Sequence, residues 1–146
     1  MPTLAQRLTR AAVMGALAEV PQGLVLFVLS ETGVFLAMGL PLNFPLNALY
    51  SSKHLLQGAL YGCLFAVPVL TKWSNTLRGV LVGLGHAAGT LLVFNPFVDH
   101  VGMLGLQLGP LMPVVVIVSN LVWGVLAGIG IDVWNRVAAV APAEGA

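Results

Sequence analysis

Two side chains in this sequence of 146 residues have the chemistry to work inside an apolar environment, Glu19 and His86. Glu19 stands nine residues past Arg10 and His86 eight past Arg78, which at 1.5 Å per residue puts both about 12–14 Å into a bilayer from the arginine side. A carboxyl group and an imidazole at that depth are costly unless they face a bundle interior or a cavity, so they are candidates for a proton or ligand site. A Glu19–His86 contact would relieve both desolvation penalties at once. It would equally suit a purely structural pair, as would a protonated Glu19 bonded to backbone opened by Pro21. Further from the arginines lie Gln57 and, at the corresponding place, Ser119 and Asn120, with Tyr61 and Trp123 about one turn deeper. Their polar groups either line an outer vestibule or hydrogen-bond between helices.

Other chemistries find few residues to use. A b-type haem has to be weighed, because His86 and His100 are fourteen apart, a spacing that helical dihaem proteins use. That arrangement takes four histidines on two helices; this chain has 3, and Asn95-Pro96 is expected to interrupt the helix between the two concerned. His54 and His86 are expected about 15 Å apart along the membrane normal, too far to share an iron. No cofactor or metal is therefore expected. No H-E-x-x-H, Walker, G-x-S-x-G or C-x-x-C pattern occurs, and no loop is long enough for a catalytic domain, so the chain reads as a non-enzyme. The lone cysteine, Cys63, sits in an apolar run and reads as a small buried hydrophobe. A net charge of +1, with Lys and Arg at the ends of apolar runs, offers no field for nucleic acid.

The elements that must hold these residues follow from composition. The chain is 58% hydrophobic and 8% charged, against roughly 25% charged in a soluble domain. It is expected to be an all-α membrane protein, one integral membrane domain over residues 1–146 with four spans near 11–29, 48–70, 76–94 and 111–131. Arg7 and Arg10 before an apolar run imitate a signal peptide, but the run is long and carries Glu19, Pro21 and Gln22, so a retained first span is expected. Residues 32–52 are also uncharged, yet Pro41, Asn43, Pro45 and Asn47 argue against a lipid-exposed helix there. Residues 32–47 and 97–110 are therefore read as proline-broken outer hairpins, re-entrant or interfacial. With four spans and the N-terminus inside, Arg7, Arg10, Lys72, Arg78 and Arg136 fall on the cytoplasmic side and Lys53 outside. A fifth span would place Lys72 and Arg78 opposite Arg7 and Arg10.

The chain also resembles itself. Arg10-A-A-V-M-Gly15 matches Arg78-G-V-L-V-Gly83, Gly39-L-Pro41-Leu42 matches Leu108-G-Pro110-Leu111, and Tyr61-Gly62-C-L-F-Ala66 matches Trp123-Gly124-V-L-A-Gly128. This predicts two parallel two-helix repeats. Small residues four apart mark every span: Ala11 and Gly15, Gly58 and Gly62, Gly79 and Gly83, Gly85 and Gly89, Gly124 and Gly128. In lipid such positions let helix backbones approach and pack. The run His54-L-L-Gln57-Gly58-A-L-Tyr61-Gly62-C-L-Phe65, with Arg78-Gly79-V-L-V-Gly83 and Trp123-Gly124-V-L-A-Gly128, resembles small YagU-like four-helix inner-membrane proteins of bacteria. The resemblance covers roughly residues 48 to 131 and implies a four-span protein of the bacterial inner membrane, without functional residues to carry over.

Two functional readings follow. The first is a non-catalytic accessory subunit of a larger, energy-transducing membrane complex, whose partners are the lipid bilayer and other integral membrane subunits or itself. The alternative is a small proton-linked transporter using Glu19 and His86. Both place the termini in the cytoplasm, which single cysteines introduced at residues 53, 75 and 99 test by labelling from outside. Residues 53 and 99 should react and residue 75 should not; the reverse pattern for 75 and 99 sinks the topology.

Overall fold

A computed structural model describes residues 3–67 and 72–140, apart from the side chains of Leu49 and Tyr50. The protein is helical, with no strand among the described residues. Helix α1, Leu4–Glu31, starts at a capping box in which the Thr3 hydroxyl accepts from the Gln6 amide and the Gln6 side chain accepts from the Thr3 amide. It runs through Pro21 without stopping. A left-handed Gly33 then turns the chain into the short α2, Val34–Ala37. Helix α3, Ala48–Gly62, tightens into a 3₁₀ turn, Cys63–Ala66. Helix α4, Asn75–Gly89, is capped by the Ser74 hydroxyl and continues as a π-helix, Thr90–Val98. After a 3₁₀ turn at Met103–Gly105, α5 runs over Met112–Val140.

Three helical stretches are long and apolar enough to cross a membrane: Leu4–Glu31, Asn75–Val98 and Met112–Val140, of 28, 24 and 29 residues. Each exceeds the roughly 20 residues that the hydrocarbon layer requires. The expected second span, 48–70, is helical from Ala48 to Ala66, and residues 68–70 lie outside those described.

One expectation fails in an instructive way. Asn95-Pro96 does not interrupt the third helix, which carries Pro96 inside its final turns and ends at Val98. A proline removes one backbone donor and pushes its ring at the preceding turn; widening that turn to the π form is one way to keep the helix going. Asp99 and His100 thus follow the helix directly, and the expected hairpin 97–110 is shorter than the sequence suggests.

Helix α1 packs against α3 and α5, and α4 against α5. The crossings are made backbone to backbone. A Cβ added to Gly62 would come within 2.5 Å of the Ala11 carbonyl oxygen and 3.0 Å of the Gly15 Cα, and one on Gly15 would strike the Gly58 carbonyl. In the second pair, a Cβ on Gly79 or Gly124 would strike the other's carbonyl oxygen, one on Gly83 the Asn120 carbonyl and one on Gly128 the Asn75 carbonyl. Gly85 and Gly89 do not share this role: a Cβ on Gly85 meets open space, and one on Gly89 would collide with the Tyr61 hydroxyl. Spacing alone could not separate these two from the others, because Gly85 and Gly89 lie on a different face of α4 from Gly79 and Gly83.

The charges sort to opposite ends. Arg7 donates to the Ala66 carbonyl at 2.6 Å, Arg78 to the Phe65 carbonyl, Arg10 to Asn135 at 3.3 Å, and Asn75 to Asp132 at 2.6 Å. The two arginines that reach Phe65 and Ala66 satisfy carbonyls left open at the end of a helix, where a positive charge also meets the negative pole of the dipole. At the opposite end Lys53 pairs with Asp99 at 3.2 Å. Between the ends lie two apolar clusters, one around Trp123, Phe65 and Val82, the other around Leu40, Phe35 and Leu91. The segment after α1 therefore buries Phe35 and Leu40 rather than hanging free as a loop.

The glycine contacts predict a graded mutational series. Gly62→Leu and Gly124→Leu should each lose stability by about 1–3 kcal/mol or more through overpacking, and Gly85→Leu should melt close to wild type. Thermal unfolding in detergent checks this; equal losses at all three sites would contradict it.

Candidate functional site

Between α1, α3, α4 and α5, in the half of the bundle toward Lys53 and Asp99, lies a cavity of about 240 Å³. At about 30 Å³ per water this is room for roughly eight. Glu19 and His86 border it, both buried, at 6% and 5% exposure. Glu19 is turned onto α3 at Gly58: a Cβ there would come within 2.5 Å of the Glu19 Cγ and 2.9 Å of its Oε1. The missing side chain of Gly58 is the space that the carboxyl arm occupies. His86 is held by aromatics. Its ring stacks on Tyr61, centroids 3.9 Å apart and 20° between planes, and makes a T-shaped contact with Trp123, centroids 4.9 Å apart and 79° between planes. Trp123 is fully buried and donates its indole N–H to the Gly15 carbonyl at 2.9 Å. That bond ties α5 to α1 through a ring that also touches the imidazole.

Gln57 and Asn120 also line this cavity, so the four polar residues singled out from the sequence, Glu19, Gln57, His86 and Asn120, border one space. The expected Glu19–His86 contact is absent: among the described residues no hydrogen bond or ion pair joins them. Gly58 draws the carboxyl arm toward α3 while Tyr61 and Trp123 fix the imidazole. Nor do Ser119 and Asn120 bond across helices. Asn120 Nδ2 and the Ser119 hydroxyl both donate to the Val116 carbonyl of their own helix, at 2.8 and 3.1 Å. His54, expected at the interface and remote from His86, lines the same cavity. Tyr61, which stacks on His86, is seven residues beyond His54 in α3, about 10 Å along the axis.

Two residues that sequence reasoning passed over belong here. Gln22 and Asn95 are buried and line the cavity. Gln22 Oε1, Asn95 Nδ2 and His86 Nδ1 are buried atoms that have no hydrogen-bond partner. Buried polar groups in folded proteins are nearly all paired, so three orphans on the wall of one cavity mark a place that a guest or water completes. Gln22 had a signal, standing three residues after Glu19 and hence on the same helix face. The Asn95-Pro96 pair suggests a helix break; the π-helix instead carries Asn95 to the cavity wall, and a Cβ on Gly105 would come within 2.6 Å of its Nδ2. No group of His, Cys, Asp or Glu able to hold a metal occurs among the described residues.

At the mouth of the cavity stands the Lys53–Asp99 pair, half exposed. Glu19 and His54 border in addition a smaller cavity of about 130 Å³ between α1 and the start of α3. Comparison with protein families, with curated proteins and with solved structures finds no match for this chain.

Trp123 should matter in two separable ways. Trp123→Phe, which loses the bond to Gly15 but keeps a ring against His86, should cost about 1 kcal/mol. Trp123→Ala should cost about 3–5 kcal/mol; a Trp123→Phe variant that melts like wild type would assign the indole bond no bridging role.

Proposed function

We propose that this chain is a small proton-linked transporter of the bacterial inner membrane, which takes its solute from outside into the cavity bordered by Glu19 and His86. The observation that carries the reading is the cavity itself. A structural pair of buried ionisable groups would be expected to bond to each other; here the carboxyl and the imidazole face a common space whose wall holds unpartnered polar atoms. The arginine-rich end, where Arg7 and Arg78 cross to the Phe65 and Ala66 carbonyls, is closed, and the cavity leads to Lys53 and Asp99 at the other.

In this reading the fourth span is α3 with its 3₁₀ turn, Ala48 to Ala66, and both termini lie in the cytoplasm by the placement of Arg7, Arg10, Arg78 and Arg136. The chain is then two parallel repeats, α1 with α3 and α4 with α5. Tyr61 and Trp123, equivalent in the repeats, both meet one imidazole, and the two hairpins touch where a Cβ on Gly109 would meet the Leu40 side chain and the Gly39 carbonyl. Both contacts suit a pseudo-two-fold axis along the membrane normal.

A second reading has its own observation. Between α1, α2 and α5 lies an apolar groove of about 310 Å³, walled by side chains such as Val25, Phe35, Val118 and Val122. Such a groove suits contact with another membrane subunit or a second copy, as a non-catalytic accessory subunit of an energy-transducing complex would make.

Glu19→Gln separates the two. Reconstituted in vesicles with a pH gradient, the wild type should show solute uptake that follows the gradient, and the variant should fold and lose it. A stoichiometric partner retained by both proteins in mild detergent, with no uptake by either, favours the accessory subunit and ends the transporter reading.

A further inference from the structure

The cavity's chemistry allows its guest to be named by class. We propose that the site binds a small organic ammonium ion in exchange for the proton of Glu19, an inference that rests on the transporter reading above.

Charge comes first. Lys53 and Asp99 at the rim pair with each other, which leaves Glu19 as the acid of the cavity's interior. The polar groups that line the cavity with it are His54 and Gln57 from α3, His86 from α4, Thr90 and Asn95 from the π-helix, Gln22 from its own helix, and Ser119 and Asn120 from α5, which adds no charge; the Asn95 amide, a donor, is left to the guest's polar end or to water. A lone carboxylate buried at 6% exposure is costly in an apolar medium, and the proposed exchange starts from the neutral acid. A monovalent cation that displaces this proton keeps the site neutral: Glu19–COOH and the ammonium ion become the Glu19 carboxylate–ammonium pair and one released H⁺. An anion or a dication leaves the site charged.

The wall also prefers an ammonium to a bare metal ion. Gln22 offers an unpartnered, buried carbonyl oxygen. Asn120 has its Nδ2 occupied by the Val116 carbonyl, so its Oδ1 is the group left to accept. An ammonium N–H matches such acceptors singly, whereas a hard cation wants six or more oxygens at close range. The remaining wall includes Phe44 and Phe94, rings that attract alkylammonium groups. At about 240 Å³ the space suits an organic ion better than a bare metal ion.

Methylammonium serves as the probe. Purified protein in weakly buffered detergent, with a pH indicator, is mixed with methylammonium chloride, potassium chloride or acetamide at matched pH. Methylammonium should release about one proton per chain, the other two none, and Glu19→Gln should release none while eluting as a folded monodisperse species. Gln22→Leu should keep the one-proton stoichiometry and weaken binding roughly tenfold by removing one bond to a charged group. Release that persists in Glu19→Gln, release of equal size with potassium chloride or acetamide, or no release at all overturns the proposal. The transporter reading fails separately. Methylammonium-linked release without uptake in vesicles upholds the site and sinks transport, whereas Glu19-dependent uptake of acetamide or acetate upholds transport and sinks the ammonium ion.

Discussion

Everything in this bundle depends on helix backbones touching at a few glycines. Lipid supplies almost no hydrophobic force between helices, so association comes from close packing and from polar contacts. At Gly15, Gly58 and Gly62 the backbones of α1 and α3 come too close for any side chain, and Gly79, Gly83, Gly124 and Gly128 do the same for α4 and α5. The two pairs are then joined through α1 and α5, where the Trp123 indole bonds to the carbonyl of Gly15, itself a crossing residue. A single residue thus serves the pairing within one half and the bond to the other.

Closure at these crossings has a consequence on the far side. The arginine end is filled by Phe65, Val82 and Ala127 and sealed by Arg7 and Arg78. Toward Lys53 the polar side chains of four helices face inward and leave a space that they do not fill. Gln22, His86 and Asn95 hold unpaired polar atoms there, each of which costs about 1–3 kcal/mol when left so. A bundle selected for stability alone would have replaced them with apolar residues. The π-helix from Thr90 to Val98 belongs to the same pattern, since such widened turns gather at functional sites and this one brings Asn95 to the cavity.

The membrane character and the helical class were legible in the sequence because both rest on sums along the chain: apolar run length, the rarity of charge and the grouping of arginines. Counting from Arg10 and Arg78 puts Glu19 and His86 in one layer, and both do border one cavity. Their relation was not legible, because a count along an axis says nothing of rotation about it. Gly58, a residue on another helix, decides where the Glu19 arm lies, and Tyr61 and Trp123 decide the plane of the imidazole.

The same distinction explains the proline and the glycines. The sequence by itself determined that helices would form, that three of them would be long and apolar enough to cross a membrane and which ends would carry charge, since local bonding and composition decide these. Whether Pro96 ends a helix or is absorbed in a widened turn, and whether a glycine pair meets a neighbour, as Gly79 and Gly83 do, or open space, as Gly85 does, only the tertiary structure decided. The physical reason is that each outcome turns on what stands opposite in space, and in a helical membrane bundle the residue opposite comes from another helix.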